Sequence, residues 1–475
     1  MKAISTSICT IVVLAAGQIA NATDPRGPRV GSYTLDVTFS PERGAMTGTA
    51  SIHFDDPGFA GDSITCYLHG ELEVDSMVAD GVSSPFHQDK VFYEYDYSLV
   101  ANAVTLPIHG QLPRTLQITY SGFFSPSKAR SPSDYMRIDG DGVFLRAYGY
   151  SLWFPVFLPA GADDYEVDFK RVISRVPRDY TAIFGGVREK RSVAGDTSIT
   201  EWSAPRVRIH EVQFTARRYQ VLEGEAGFTI CHLPDSASTT AARELLKFAR
   251  PLCALYAGRY QTPGVADHHY IIEMPPYGDI SSGSVTGLME STWKLFADDE
   301  NAQRALAHEL VHPYVALGIP RDDPAYCLVV EGFPSYFHLP CVAQLRDADF
   351  YDRFVGWMEK LYLDKRATGK DRRGNPMPPE KPLLSITADE LSTYKDEFVL
   401  DDRALLFLNY LLARMGPQFN AFTSELFNSG TISAVGFRTL IEEYLPGSKA
   451  DVSLWLDTTE YPERLHFSHF RLGGR

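Results

Sequence analysis

The sequence predicts an α+β chain of more than one domain, with antiparallel sheet first and mainly helix after it. Three observations carry this. From about Gly31 to Tyr120 apolar and polar residues alternate in short runs, starting with Tyr33, Leu35, Val37 and Phe39, and Gly, Pro, Asp and Ser clusters separate the runs. That is the pattern of half-buried strands joined by turns. From Thr239 onward the apolar residues instead recur at helical spacing, as in Ala242, Leu245, Leu246, Ala249, Leu252 and Cys253. Residues 305–317, ALAHELVHPYVAL, then place His308 and His312 one turn apart on a single helix face.

Composition bounds the rest. With 475 residues, 44% hydrophobic and 22% charged, the chain holds enough apolar material for two or three packed domains, and disorder is not expected. A formal charge of −15, from 60 acidic against 45 basic residues, argues against a nucleic-acid surface, and no basic cluster is dense enough to overturn that. The start, MKAISTSICTIVVLAAGQIANA, combines an early lysine, an apolar run near Ile8 to Ala16 and an Ala20-Asn21-Ala22 cleavage pattern. It predicts a signal peptide over 1–22 and an exported protein, periplasmic or secreted. No membrane anchor is expected after cleavage, because the apolar run falls well short of the ~20 residues of a spanning helix. In an oxidising compartment Cys66, Cys231, Cys253, Cys327 and Cys341 are candidates for pairing, with at least one left over.

Taken in order, the strand pattern continues through Ile52 and Phe54, Val104 to Ile108, Leu116 to Tyr120, Tyr165 to Lys170, Tyr180 to Phe184 and Val207 to Phe214. This sets a β domain at 23–224 and a second domain at 225–475. The second opens with a helix over Thr239 to Tyr256, which Pro251 should kink or split. A strand at Tyr270 to Met274 precedes a loop, PPYGDISSGSVTGLMEST, and then the His308 helix, with Asp298 or Asp299 as its N-cap. Further helices are expected at Phe350 to Asp364, Arg403 to Met415, Gln418 to Asn428 and Gly436 to Tyr444. The basic stretch KRATGKDRRGNPMPPEKP between them reads as a mobile surface connector. His268 and His269 read as solvent-facing or hydrogen-bonded side chains rather than ligands.

Two histidines four residues apart can reach one zinc ion, and a catalytic zinc takes a third protein ligand while keeping a position open. Glu309 lies about 100° round the helix from His308, where it flanks the metal as a base. Glu331 follows His312 after eighteen residues and opens the run EGFPSYF. Here the sequence resembles the gluzincin aminopeptidases, the aminopeptidase N family, whose signature is H-E-x-x-H, eighteen residues, a ligand glutamate, Gly-Phe and, three positions on, Tyr. His308, Glu309, His312, Glu331, Gly332, Phe333 and Tyr336 match.

The resemblance implies one Zn2+ per chain on His308, His312 and Glu331. It also implies Glu309 as general base for zinc-bound water attacking the N-terminal peptide bond of peptides. Gly287-Leu288-Met289-Glu290 is similar to the family's Gly-Ala-Met-Glu-Asn, which implies that Glu290, with Gly287 and Met289 beside it, holds the substrate's free amino terminus; Leu288 and Ser291 depart from that pattern. An oxyanion-stabilising tyrosine corresponds to Tyr394, whereas anchoring on the following helix RALLFLNYL puts the position near Val399. Pro313-Tyr314-Val315-Ala316-Leu317 replaces the family's Gln-Trp-Phe-Gly-Asn, and Pro313 should bend the helix just after His312. Cys327 and Cys341 flank Glu331 as a candidate disulfide brace.

The implied fold is a β-sandwich or saddle followed by a thermolysin-like domain. The family's large C-terminal helical domain is missing, so the cleft is either open or covered by a second subunit of a homo-oligomer. Two other readings stay open: a metallo-endopeptidase or other hydrolase of this fold, and a catalytically degenerate peptide- or protein-binding member.

Overall fold

The computed structural model describes residues 27–56, 58–92, 100–108, 110–124, 136–145, 152–158, 165–209, 212–224, 227–260, 268–275, 280–282, 284–347, 349–371, 374–394 and 402–462. The expected signal peptide and Val399 lie outside the described residues.

The predicted alternation becomes strand register. Tyr33, Leu35, Val37 and Phe39 are all buried on the strand Val30–Ser40, which pairs antiparallel with Ala45–Phe54, Tyr33 opposite Ile52 and Leu35 opposite Ala50. On its other side the same strand pairs in parallel with Glu166–Pro177. The large sheet is therefore mixed rather than purely antiparallel, because more than a hundred residues of chain intervene and a parallel pair needs a long crossover. That sheet has eight strands, in the order 187–194, 197–208, 166–177, 30–40, 45–54, 115–123, 72–79 and 82–83. A three-stranded and a four-stranded sheet complete the β domain. Its core is strongly aromatic, with Tyr33 stacked on Phe169 at 5.3 Å and Phe154 edge-on to both rings.

A five-stranded sheet joins this half to the helical half. Its strand Phe228–His232 runs parallel to His269–Met274, which runs parallel to Val285–Met289. Gln220–Glu223, from before the expected domain boundary, pairs antiparallel at one edge and Ile280–Ser282 at the other. Every residue of His269–Met274 is buried, as a strand covered on both faces requires. Tyr270, Ile272 and Met274 join the β-domain core, Tyr270 meeting Trp202 edge-on at 5.9 Å, while Ile271 joins the core of the helices. The sheet is thus a shared wall between the two cores.

Three expectations change. The segment expected as a loop after Met274 forms the strands Ile280–Ser282 and Val285–Met289 and the short helix Glu290–Leu295. Pro251 does not split its helix into two, and a single helix spans Ser236–Tyr260. The carbonyl that loses its bond belongs to Lys247, which with Pro251 lies on the exposed face where water can serve it, while Leu245, Ala249, Leu252 and Tyr256 are buried. Finally, the basic connector is tied down at both ends. Lys365 is buried in an ion pair with Asp402 at 2.7 Å, and Glu380 accepts from the fully buried Arg403 at 3.0 Å.

The helices Phe350–Thr368, Ala404–Met415, Phe419–Asn428 and Ala434–Tyr444 form where expected, with a final helix, Lys449–Asp457, packed beyond them. Among the described residues no helix is long and apolar enough to cross a membrane.

Candidate metal centre

Asp299 starts the His308 helix, Glu300–Val315, by accepting the Asn301 N–H at 2.8 Å. The helix is pinned from two sides. Tyr256 donates to the Ala307 carbonyl at 2.9 Å, and the Tyr314 hydroxyl lies 3.1 Å from Nε2 of His269, whose ring stacks with those of Phe228 and Tyr314. His269 is therefore a buried, hydrogen-bonded side chain, and its burial lowers its pKa to about 4. Pro313 sits in the last turn. It removes the N–H that the Glu309 carbonyl would accept, and the helix ends two residues later, with Ala316 extended.

His308, Glu309 and Glu331 are buried at 7%, 5% and 2% exposure. Nε2 of His308 and Nε2 of His312 lie 3.2 Å apart, and Oε2 of Glu331 lies 3.4 Å from the first and 3.9 Å from the second. Four tetrahedral ligands at about 2.0–2.1 Å from one ion stand roughly 3.3 Å apart, so these three atoms fit three vertices of a zinc site. Glu309 is the other carboxylate within reach, its Oε2 4.0 Å from His312 Nε2, and the two histidines with Glu309 form a compact donor group. Glu331 makes the better third ligand, since one of its oxygens faces both imidazoles, and this leaves Glu309 at the flank of the site.

Glu331 arrives there through a π turn, Leu328–Gly332, followed directly by the helix Phe333–Phe337. The extra residue per turn rotates the chain relative to an α-helix. Gly332 then packs against Ala404, where a side chain would collide.

The remaining expected residues have definite places. Gly287 and Met289 lie on the strand Val285–Met289, and Glu290 begins the helix after it. Oε1 of Glu290 accepts from Lys294 Nζ at 2.6 Å, the two side chains being 37% and 40% exposed. The sequence reading missed Lys294, although its i, i+4 spacing from Glu290 is the signal that could have found it. Tyr336 is fully buried, its hydroxyl 3.2 Å from that of Tyr351, which donates to Asn409 Oδ1 at 2.8 Å. Tyr394 ends a short helix with its hydroxyl donating to the Pro379 carbonyl at 3.1 Å and its ring beneath the Lys381 ammonium. An oxyanion role for Tyr394 requires that bond to break.

The candidate disulfide does not form. Cys327 and Cys341 are buried free thiols, the first donating to the Thr387 carbonyl at 3.3 Å and the second 4.0 Å from the Tyr260 hydroxyl.

No family model and no curated protein matches the sequence. Solved structures do match. The M1 zinc metallopeptidase of Deinococcus radiodurans aligns over 92% of this chain and 96% of its own, with a TM-score of 0.69 at 15% identity. A mutant of the Deinococcus radiodurans enzyme bound to a Tyr-Ser-Ala substrate gives a TM-score of 0.66 at 16% identity over the same shares. Native yeast LTA4 hydrolase gives 0.67 at 16% identity, over 92% of this chain and 69% of that one. The chain therefore has the fold of the M1 zinc metallopeptidases, in the arrangement that the two-domain members share.

Proposed function

We propose that the protein is a zinc-dependent aminopeptidase that hydrolyses the N-terminal peptide bond of peptides. One observation carries the reading: the three-atom triangle of His308, His312 and Glu331, flanked by Glu309, on an M1 metallopeptidase fold. His308, His312 and Glu331 would hold the ion. Zinc, when bound, supplies Lewis acidity toward water and the scissile carbonyl.

The chain's own groups do the rest. The Glu309 carboxylate takes a proton from the attacking water as the oxygen bonds to the carbonyl carbon, and gives it to the leaving amine nitrogen as the C–N bond breaks. Burial of Glu309 keeps bulk water from competing for that proton. Glu290 takes the substrate ammonium in a charge-assisted hydrogen bond that an internal peptide nitrogen cannot make. Export, resting on residues 1–22, belongs to the same reading.

Hydrolysis of aminoacyl arylamides by zinc-loaded protein tests the proposal. Activity is expected, and Glu309→Gln should lower kcat by roughly 10²- to 10⁴-fold while keeping the metal. Absence of activity, or activity indifferent to Glu309→Gln, would overturn it.

The Glu290–Lys294 pair favours a second reading, because the group meant for an ammonium already holds one. On that reading the protein is an endopeptidase or other hydrolase, and an amino-terminally acetylated peptide would be cleaved at least as well as its free counterpart.

A further inference from the structure

His338 sits behind the metal centre and takes no part in the mechanism above. Its ring is fully buried, with Nδ1 2.8 Å from the carbonyl oxygen of Pro334. A carbonyl only accepts, so Nδ1 carries the ring proton and Nε2 keeps its lone pair. That Nε2 is buried and has no hydrogen-bond partner among the described residues.

The ring of His338 stands edge-on to that of His308, centroids 6.0 Å apart and planes at 70°. His308 turns Nε2 toward His312 and Glu331, so an ion bound there leaves its Nδ1 as an N–H donor. Metal-bound imidazoles generally give that second N–H to a fixed acceptor, which sets their tautomer and orientation. A buried imidazole whose proton is already committed to Pro334 has only an acceptor to offer, and its ring lies beside that of His308.

We propose that His338 is the positioning residue for the zinc ligand His308: Nε2 of His338 accepts the Nδ1–H of His308, directly or across one water, and orients that ligand toward the ion. This rests on the zinc reading above and adds a determinant of metal affinity to it. Buried polar atoms ordinarily find partners, and this bond supplies the one that Nε2 of His338 otherwise lacks.

Zinc affinity measured on metal-depleted full-length protein against a competing chelator tests the inference, with near-ultraviolet circular dichroism reporting the fold. His338→Phe keeps an aromatic ring in the space but removes the acceptor, and should weaken zinc binding by about 10- to 100-fold. His338→Gln, which restores an acceptor oxygen, should recover most of that loss. A folded Phe variant that binds zinc like the wild type overturns the proposal. Equal losses in the Phe and Gln variants overturn it too, since they assign the effect to packing.

Should the Phe variant fail to fold, wild-type protein carrying 15N-histidine decides. Zinc loading should move the His338 Nε2 resonance in the direction of an accepted hydrogen bond, and a stationary resonance refutes the inference. Wild-type protein that binds no zinc at all is a different result, because then the metal reading itself has failed and this inference falls with it.

Discussion

Gly332 packs directly on Ala404: a Cβ placed on Gly332 would stand 2.8 Å from the Ala404 Cβ and 2.9 Å from the Leu328 Cδ1. Gly332 has an ordinary helical φ of −66°, so the glycine answers a packing demand rather than a backbone one. The contact lies one residue after Glu331, between the π turn and the helix Ala404–Met415. Gly332→Ala is expected to lower stability by about 1–3 kcal/mol through overpacking and to weaken zinc binding by displacing the Glu331 carboxylate. Urea denaturation and chelator competition check the two effects separately. A loss of stability with unchanged zinc affinity would confine this glycine to packing.

Lys294 holds the carboxylate that the proposed aminopeptidase offers to its substrate. Exposed pairs of this kind contribute ~0.2–1 kcal/mol, so Lys294→Met should lower KM for a free-amine peptide by up to about fivefold and leave kcat nearly unchanged. Glu290→Gln should raise KM for that peptide and leave the acetylated one unaffected. If Glu290→Gln behaves this way and Lys294→Met has no effect, the anchor stands and the competition between Lys294 and substrate does not.

Arg403 is fully buried and joins distant parts of the chain. Its guanidinium donates to the carbonyls of Leu454, Trp455, Thr458 and Glu460, to the Glu380 carboxylate and to the Tyr362 hydroxyl. Arg403→Met strands several buried acceptors at once and should cost roughly 3–5 kcal/mol. Denaturant unfolding followed by circular dichroism would measure it, and a loss below about 1 kcal/mol would show that water replaces the guanidinium.

His269 predicts a pH dependence. Burial lowers its pKa from 6.5 to about 4 in the folded chain. Between those values the unfolded chain binds the proton and the folded chain does not, so protonation favours unfolding. The stability contributed by neutral His269 is full above the unfolded pKa of 6.5 and is lost progressively as the pH falls toward about 4. The total change is at most about 3 kcal/mol. Thermal melts from pH 7 to 4 should show a shallower decline in His269→Phe than in wild type. Parallel declines would mean that His269 takes up its proton over the same pH range in both states.

Much of the molecule was legible because the relevant physics is local. Alternation of Tyr33, Leu35, Val37 and Phe39 specifies a strand with one buried face, and the four-residue spacing of His308 and His312 specifies two imidazoles on one helix face. The helices from Phe350 onward were legible for the same reason. Errors arose where partners decide. Val285–Met289 reads as loop, Gly-containing and without clear alternation, and becomes a strand because His269–Met274 offers it a parallel edge. Pro251 reads as a kink or a split, and the helix continues through it because the carbonyl left unbonded, that of Lys247, falls on the wet face.

The sequence by itself singled out the residues proposed to carry the chemistry: His308, Glu309, His312 and, through its distance from them and the EGFPSYF run, Glu331. Tertiary structure alone decided how they meet. Eighteen residues of intervening chain hold Glu331 to no particular place, whereas the π turn and the Gly332–Ala404 contact bring one of its oxygens within 3.4 Å of His308 and 3.9 Å of His312. The same is true of the commitments no pattern announces: His338 at the back of His308, Tyr394 bonded to Pro379, and Cys327 and Cys341 left as separate thiols. Spacing along a helix is set by backbone hydrogen bonds four residues apart. Distances between elements are set by packing, which depends on every side chain in the interface at once.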